Sequence, residues 1–134
     1  MLSEKELKYY LSLNFDDQRN ERFVVDIFKY LNEGEGKHLN NVTVIGLRQL
    51  LNLSSNEDRN IWEAMITLSK ERYGSFLTVA YHFIPDTEVL AIVDESEIAD
   101  SLRAGLYVDP DGNEHLNFLP KMFPNFKVNR GFSN

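Results

Sequence analysis

The spacing of apolar residues changes character at Phe76, and that change limits the fold more than any single motif. Before it, apolar residues recur every three or four positions, the period of a helix with one buried face. From Phe76 to Ile84 the residues are aromatic and β-branched, a composition that suits strands. A helical first part followed by strands defines an α+β chain: a helical N-terminal half and then antiparallel hairpins.

Local signals divide the first part into helices. Ser3 with Glu6 makes a capping box ahead of Leu7, Tyr10 and Leu11, predicting a helix over residues 4 to 13. A second helix is expected from Asp17 to Glu33, with Phe23, Ile27, Tyr30 and Leu31 on one face, widened by Val24 and Phe28, and with Gly34 where a left-handed cap would stand. Val42-Thr43-Val44 reads as a short strand before Leu47, Leu50 and Leu51 take up helical spacing. Ser54 with Glu57, or Ser55 with Asp58, offers a cap for a long helix carrying Ile61, Trp62, Met65, Ile66 and Leu68 and ending at Tyr73-Gly74.

The second part alternates strands and turns. Pro85-Asp86-Thr87 turns the first strand back into Val89 to Val93, and Asp94 with Glu97 opens a short helix that Gly105 closes, with Ile98 and Leu102 on its buried side. Leu106 to Val108 and His115 to Phe118 flank the turn Asp109-Pro110-Asp111-Gly112, whose proline and glycine stand where a type I turn favours them. Pro120 and Pro124 oppose a regular inner strand, so residues 119–134 read as an irregular tail packed on the surface of one domain spanning 1–134. The expected core is Phe23, Ile27, Leu31, Leu50, Ile61, Met65, Leu68, Val79 and Phe83.

From Phe23 to Phe83 the order helix, short strand, helix, polar break, long helix and hairpin resembles a winged helix-turn-helix. The resemblance makes Leu47 to Leu53 the first helix of the motif, Asn52 to Ser55 its turn, Asn56 to Arg72 the recognition helix and Phe76 to Val93 the wing. It implies a DNA-binding regulator with Arg59 and Trp62 on the working helix. The charges oppose that role. The helix opens Asn56-Glu57-Asp58-Arg59-Asn60 with Glu63 beyond, the wing tip holds Asp86 and Glu88, and acids at these places repel phosphate.

Charge also narrows the partners. The chain carries 21 acidic and 14 basic residues, a net −7. Nine of the acids, Asp86, Glu88, Asp94, Glu95, Glu97, Asp100, Asp109, Asp111 and Glu114, fall between residues 86 and 114, where Arg103 is the one base. Such a field attracts a basic protein surface and repels nucleic acid. A solvated helix face is the plainer reading of the same acids, and a carboxylate site for a hard metal ion or acid–base work is a third. Asp109 to Asn113 sets oxygen ligands on alternate positions but places Gly112 too early for an EF-hand, with Pro120 where the closing glutamate belongs.

Few other chemistries have support. There is no cysteine, so thiol nucleophiles, disulfides and thiolate zinc sites are excluded. His38, His82 and His115 are too scattered for a helical zinc pair, and His82 facing Glu88 would be the nearest thing to an oriented base. Hydrolase, P-loop and dinucleotide signatures are absent, and no cofactor or metal is expected. A charged start and the lack of a long apolar run predict a cytoplasmic protein that does not enter a membrane. Phe123, Phe126 and Phe132 with Lys121, Lys127 and Arg130 make a basic aromatic end that fits either the acidic segment or a second copy of the chain. The expectation is therefore a non-catalytic protein-binding module, an adaptor, inhibitor or immunity-type protein, acting through Asp86, Glu88, Glu95, Glu97 and Asp100.

Overall fold

Helix α1, Glu4–Leu13, starts where the capping box places it: the Ser3 hydroxyl accepts from the Glu6 N–H, and the Glu6 carboxylate accepts from the Ser3 N–H, both at 3.1 Å. A computed structural model describes residues 2–130, and Phe132 lies outside them. The further elements are α2 (Glu21–Asn32), β1 (Asn41–Val42), α3 (Val44–Leu50), α4 (Asp58–Leu68), β2 (Leu77–Phe83), β3 (Ala91–Val93), α5 (Glu95–Ala104), β4 (Tyr107–Val108), β5 (Glu114–His115) and β6 (Met122–Val128). The fold class is α+β, with an antiparallel sheet in the order β1-β6-β2-β3 and a separate β4-β5 pair. The sequence reads as one domain; within it contacts group into two compact units, residues up to Thr78 with those from Phe126 onward, and Val79–Asn125.

In the first unit α2 packs against α1 and α4, and α3 packs against α4. Val24, Ile27, Phe28 and Leu31 of α2 and Ile61, Ala64, Met65 and Leu68 of α4 are closed to solvent. Each large side chain so buried contributes roughly 1.5–3 kcal/mol. The Phe28 ring tilts against Phe76 at 4.7 Å. Leu50 is 53% exposed and Phe23 only half-buried, because the sides of α3 and α2 that carry them turn away from the α2–α4 seam.

Several helix ends differ from the sequence reading. The segment from Asp17 does not join α2 as α-helix; Phe15–Asn20 forms a tighter 3-10 turn. That turn carries Asp17 inward, where Lys70 Nζ lies 2.6 Å from Oδ1 and the Tyr73 hydroxyl donates to Oδ2 at 2.6 Å. Burial draws the Asp17 carboxyl upward, but the bonds from Lys70 and Tyr73 outweigh it and hold the group below its usual range. Gly34 is not in the left-handed region. A Cβ there would stand 3.0 Å from the backbone of Tyr30, so glycine is needed for close approach. The end of α2 is covered instead by Arg130, whose guanidinium donates to the carbonyls of Leu31 and Gly36 at 3.1 Å. Neither Ser54 nor Ser55 caps α4, which opens through the 3-10 turn Ser55–Glu57 and stops at Leu68, before a second turn ending at left-handed Gly74.

The tail contains a strand where an irregular stretch is expected. Val128 donates to Asn40, and β1 pairs with Lys127 and Phe126. Alternation then directs the Pro124 nitrogen to the same side, past the end of the two-residue β1, so the missing N–H leaves no ladder bond unmade.

In the second unit the pairs Tyr81↔Val93, His82↔Ile92 and Phe83↔Ala91 fix which side chains share a face. Phe83 and Val93 join Tyr107, Phe118 and Met122 in a small buried cluster, with Tyr81, Ala91 and Ile98 packed against it. Helix α5 is capped as expected by Asp94 and closed by left-handed Gly105, but Leu102 is 54% exposed rather than buried.

Met65→Ala is expected to cost roughly 2–5 kcal/mol, while Leu50→Ala should cost about 0.5 kcal/mol or less. Urea titration showing equal losses would return Leu50 to the core. Asp17→Ala strands the Tyr73 and Lys70 donors and should cost about 1–3 kcal/mol at neutral pH. Because the folded carboxyl titrates below the unfolded value of about 3.9, this contribution is complete above that value and lost as pH falls through the folded one. A deficit undiminished in strong acid would contradict the assignment.

Candidate functional site

The acids that sequence analysis singles out lie along one continuous stretch of the second unit. Asp86 and Glu88 are exposed in the loop between β2 and β3, and Asp94 follows β3 and caps α5 by accepting from the Glu97 N–H at 2.9 Å. That backbone bond, with the Ser96 hydroxyl after it, holds the Asp94 carboxyl below its usual range. Glu95 and Glu97 occupy the first turn of α5, where the helix dipole favours them, and Asp100 follows one turn on. All three are exposed, and no residue of α5 is fully buried.

Glu97 and Asp100 stand at the rim of a shallow hollow of about 270 Å³ between α5 and β4, floored by Ala104, Leu106, Tyr107 and Val108. Arg103 forms an ion pair with Asp100. Glu97 and Glu95 also act on neighbouring tyrosines. Burial first, and Glu97 and Asp109 after it, push the Tyr107 phenol up; burial and then Glu95 do the same to Tyr81. The acidic side of α5 therefore combines negative charge with exposed apolar floor, which a lysine or arginine side chain can match with its head and its methylene stem.

Asp109 does not belong to this surface. It is 4% exposed; Oδ1 accepts from the N–H groups of Asp111 and Asn113 at 2.9 Å, and Oδ2 lies 2.9 Å from His115 Nε2. The His115 bond, followed by the two backbone bonds, keeps its carboxyl low against the upward pull of burial. Asp109 thus closes its own hairpin, with Gly112 in the left-handed conformation at φ 88°, and its oxygens are occupied. Among the described residues no three histidine, aspartate or glutamate side chains form a metal-ligand group. His82 lies opposite Ile92, not Glu88, and its Nε2 is 3.3 Å from the Asn125 amide.

The alternative surface on α4 is dispersed. Arg59 extends into solvent within 3.9 Å of Glu63, whereas Trp62 is half-buried and meets Phe126 edge-on at 5.6 Å. A further hollow of about 740 Å³ runs along α2, with Phe23, Ile27, Tyr30, Leu51 and Leu53 among its walls and charges of both signs around them. Sequence reasoning missed this hollow because it assigned that face of α2 to the core. It also missed Ile92, although strand alternation with buried Val93 was the available signal.

No described helix is long and apolar enough to cross a membrane. The chain matches no family model, and neither a curated protein nor a solved structure matches it.

Asp109→Ala is expected to lower the melting temperature at neutral pH, since two backbone donors and His115 lose their acceptor. The gap to the unaltered protein should close as pH falls through the depressed folded value, because an Asp109 protonated in both states no longer favours folding. A gap that widens on acidification would mean that the hairpin does not depend on the carboxylate.

Proposed function

We propose that this protein is a non-catalytic binding module, of adaptor, inhibitor or immunity type, whose α5 surface takes a basic protein partner. The observation that carries this reading is the hollow between α5 and β4, where Glu97 and Asp100 rim a floor of Ala104, Leu106 and Val108. Charge alone would suit any solvated helix. An apolar floor open to solvent beside it is what a buried methylene stem requires, and complementary charge adds on-rate and specificity. Glu95, Asp86 and Glu88 extend the field along the same unit. Arg59 and Trp62 support a DNA-binding helix less well, since Glu63 sits beside the one and Phe126 holds the other.

The test reverses three charges together, Glu95→Lys, Glu97→Lys and Asp100→Lys. The fold should persist because exposed charges add little to stability. A partner recovered from the native cell should bind the variant about tenfold more weakly or worse, with a flatter salt dependence. Unchanged affinity, together with loss on substituting Arg59 or Trp62 and retention on DNA at low salt, would transfer the function to α4.

A further inference from the structure

The hollow along α2 has apolar walls and a charged lip, and the lip carries a symmetry of its own. Phe23, Ile27 and Tyr30 form one wall and Leu51 and Leu53 the other, around about 740 Å³. Phe23 and Tyr30 are half-buried, Leu53 is 36% exposed, and Leu50 next to it is more exposed still. All of them belong to the first unit. A contiguous apolar surface of this kind marks a place where something docks.

The charges beside it decide what docks. Arg22, Asp26 and Lys29 of α2 and Glu33, the residue that ends the helix, all line the hollow, and all are exposed. Steps of four, three and four residues hold them in one stripe, along which the sign alternates. Within the chain their ties are loose: Arg22 Nε stands 3.9 Å from Asp26 and Lys29 Nζ 4.0 Å from Glu4, and Glu33 is in no ion pair among the described residues. The order is self-complementary. A two-fold axis crossing α2 between Ile27 and Phe28 has Arg22 and Glu33 equally far to either side, and likewise Asp26 and Lys29. Laid antiparallel on a second copy, the stripe therefore meets opposite charge at all four positions. Laid parallel, it would meet like charge at all four.

The same rotation brings Phe23 of the second copy over Tyr30 and Gly34, at the open end of the hollow, so apolar surface covers apolar surface where the charges match. Antiparallel helices also set each dipole against the opposite end of the other. Glu57, which reaches the hollow from the far wall, already accepts from the Asn60 amide at 2.9 Å. Each copy carries a net −7, which opposes association, but the four-residue stripe is itself neutral. The acids of α5 have no such balance, and a second copy would meet them with like charge.

We propose that a second copy of this chain covers the hollow, in a two-fold dimer whose α2 helices pack antiparallel with Arg22 of each copy paired to Glu33 of the other and Asp26 to Lys29. The α5 surface belongs to the second unit and takes no part, so this interface and the one for a basic partner stand or fall separately.

The experiment is sedimentation equilibrium of the full chain from micromolar to near-millimolar concentration. The mean mass should rise from 15.6 kDa toward twice that value. Arg22→Glu alone and Glu33→Arg alone should each weaken association about tenfold or more, because every change in a two-fold interface acts twice. Far-ultraviolet circular dichroism should be unchanged in both. Mixing the two single variants in equal amounts should restore the dimer, since each then offers the charge that the other lacks. A mass that stays at that of one chain throughout overturns the proposal. So does a dimer that both single variants leave intact, which would place the contact on another face. Loss in both single variants without recovery in the mixture overturns it as well, because the loss would then come from net charge or folding and not from pairing.

Discussion

The second unit has too little interior for its apolar side chains, and most of what distinguishes this protein follows from that shortage. A short stretch of chain has a high ratio of surface to volume and buries a small share of what it would expose unfolded. Val79–Asn125 closes only a small cluster around Phe83, Val93 and Tyr107. Ile92, Leu102, Val108, Leu116 and Phe123 remain in contact with solvent. Scattered apolar residues on a surface need no explanation, but here Leu102 and Val108 sit on or beside the acidic helix, and Ile92 lies between two pairs of acids.

The first unit solves the opposite problem. Its helices have enough apolar surface to seal the α2–α4 seam, and its difficulty is where to place polar groups. Asp17 is drawn into the interior and answered by Lys70 and Tyr73, residues far along the chain. Arg130, farther still, covers the carbonyls at the end of α2. A buried carboxylate without such partners would be strongly destabilising, so these long-range bonds fix the 3-10 turns that the local sequence left open.

Charge placement separates two kinds of acid that look alike in the sequence. Asp109 is locked by two backbone N–H groups and His115, and its role ends with the hairpin. Glu95, Glu97 and Asp100 are spread along a helix with one guanidinium among them, so most of their field projects into solvent, where it can draw in a cationic partner.

The sequence by itself determined the features that depend on neighbours a few residues apart. The capping boxes at Ser3–Glu6 and Asp94–Glu97, the left-handed glycine at 105 and the hairpin of β2 with β3 were legible because each is set by local hydrogen bonding or local period. So was the acidic character of α5, which needs only a count. What the tertiary structure decided is which local options were taken. Ser54 and Ser55 offered a cap that the 3-10 turn at 55–57 left unused, and Gly34 proved to serve a close approach to Tyr30 instead of a turn. Leu50 kept helical spacing yet faces solvent, since periodicity gives a face but not what lies opposite it. Pro124 entered a strand because β1 is too short to need its missing N–H. The hollow beside Glu97 exists only once α5 and β4 are in place, because an unfilled space between two elements is a property of the packing and leaves no mark in any one segment of sequence.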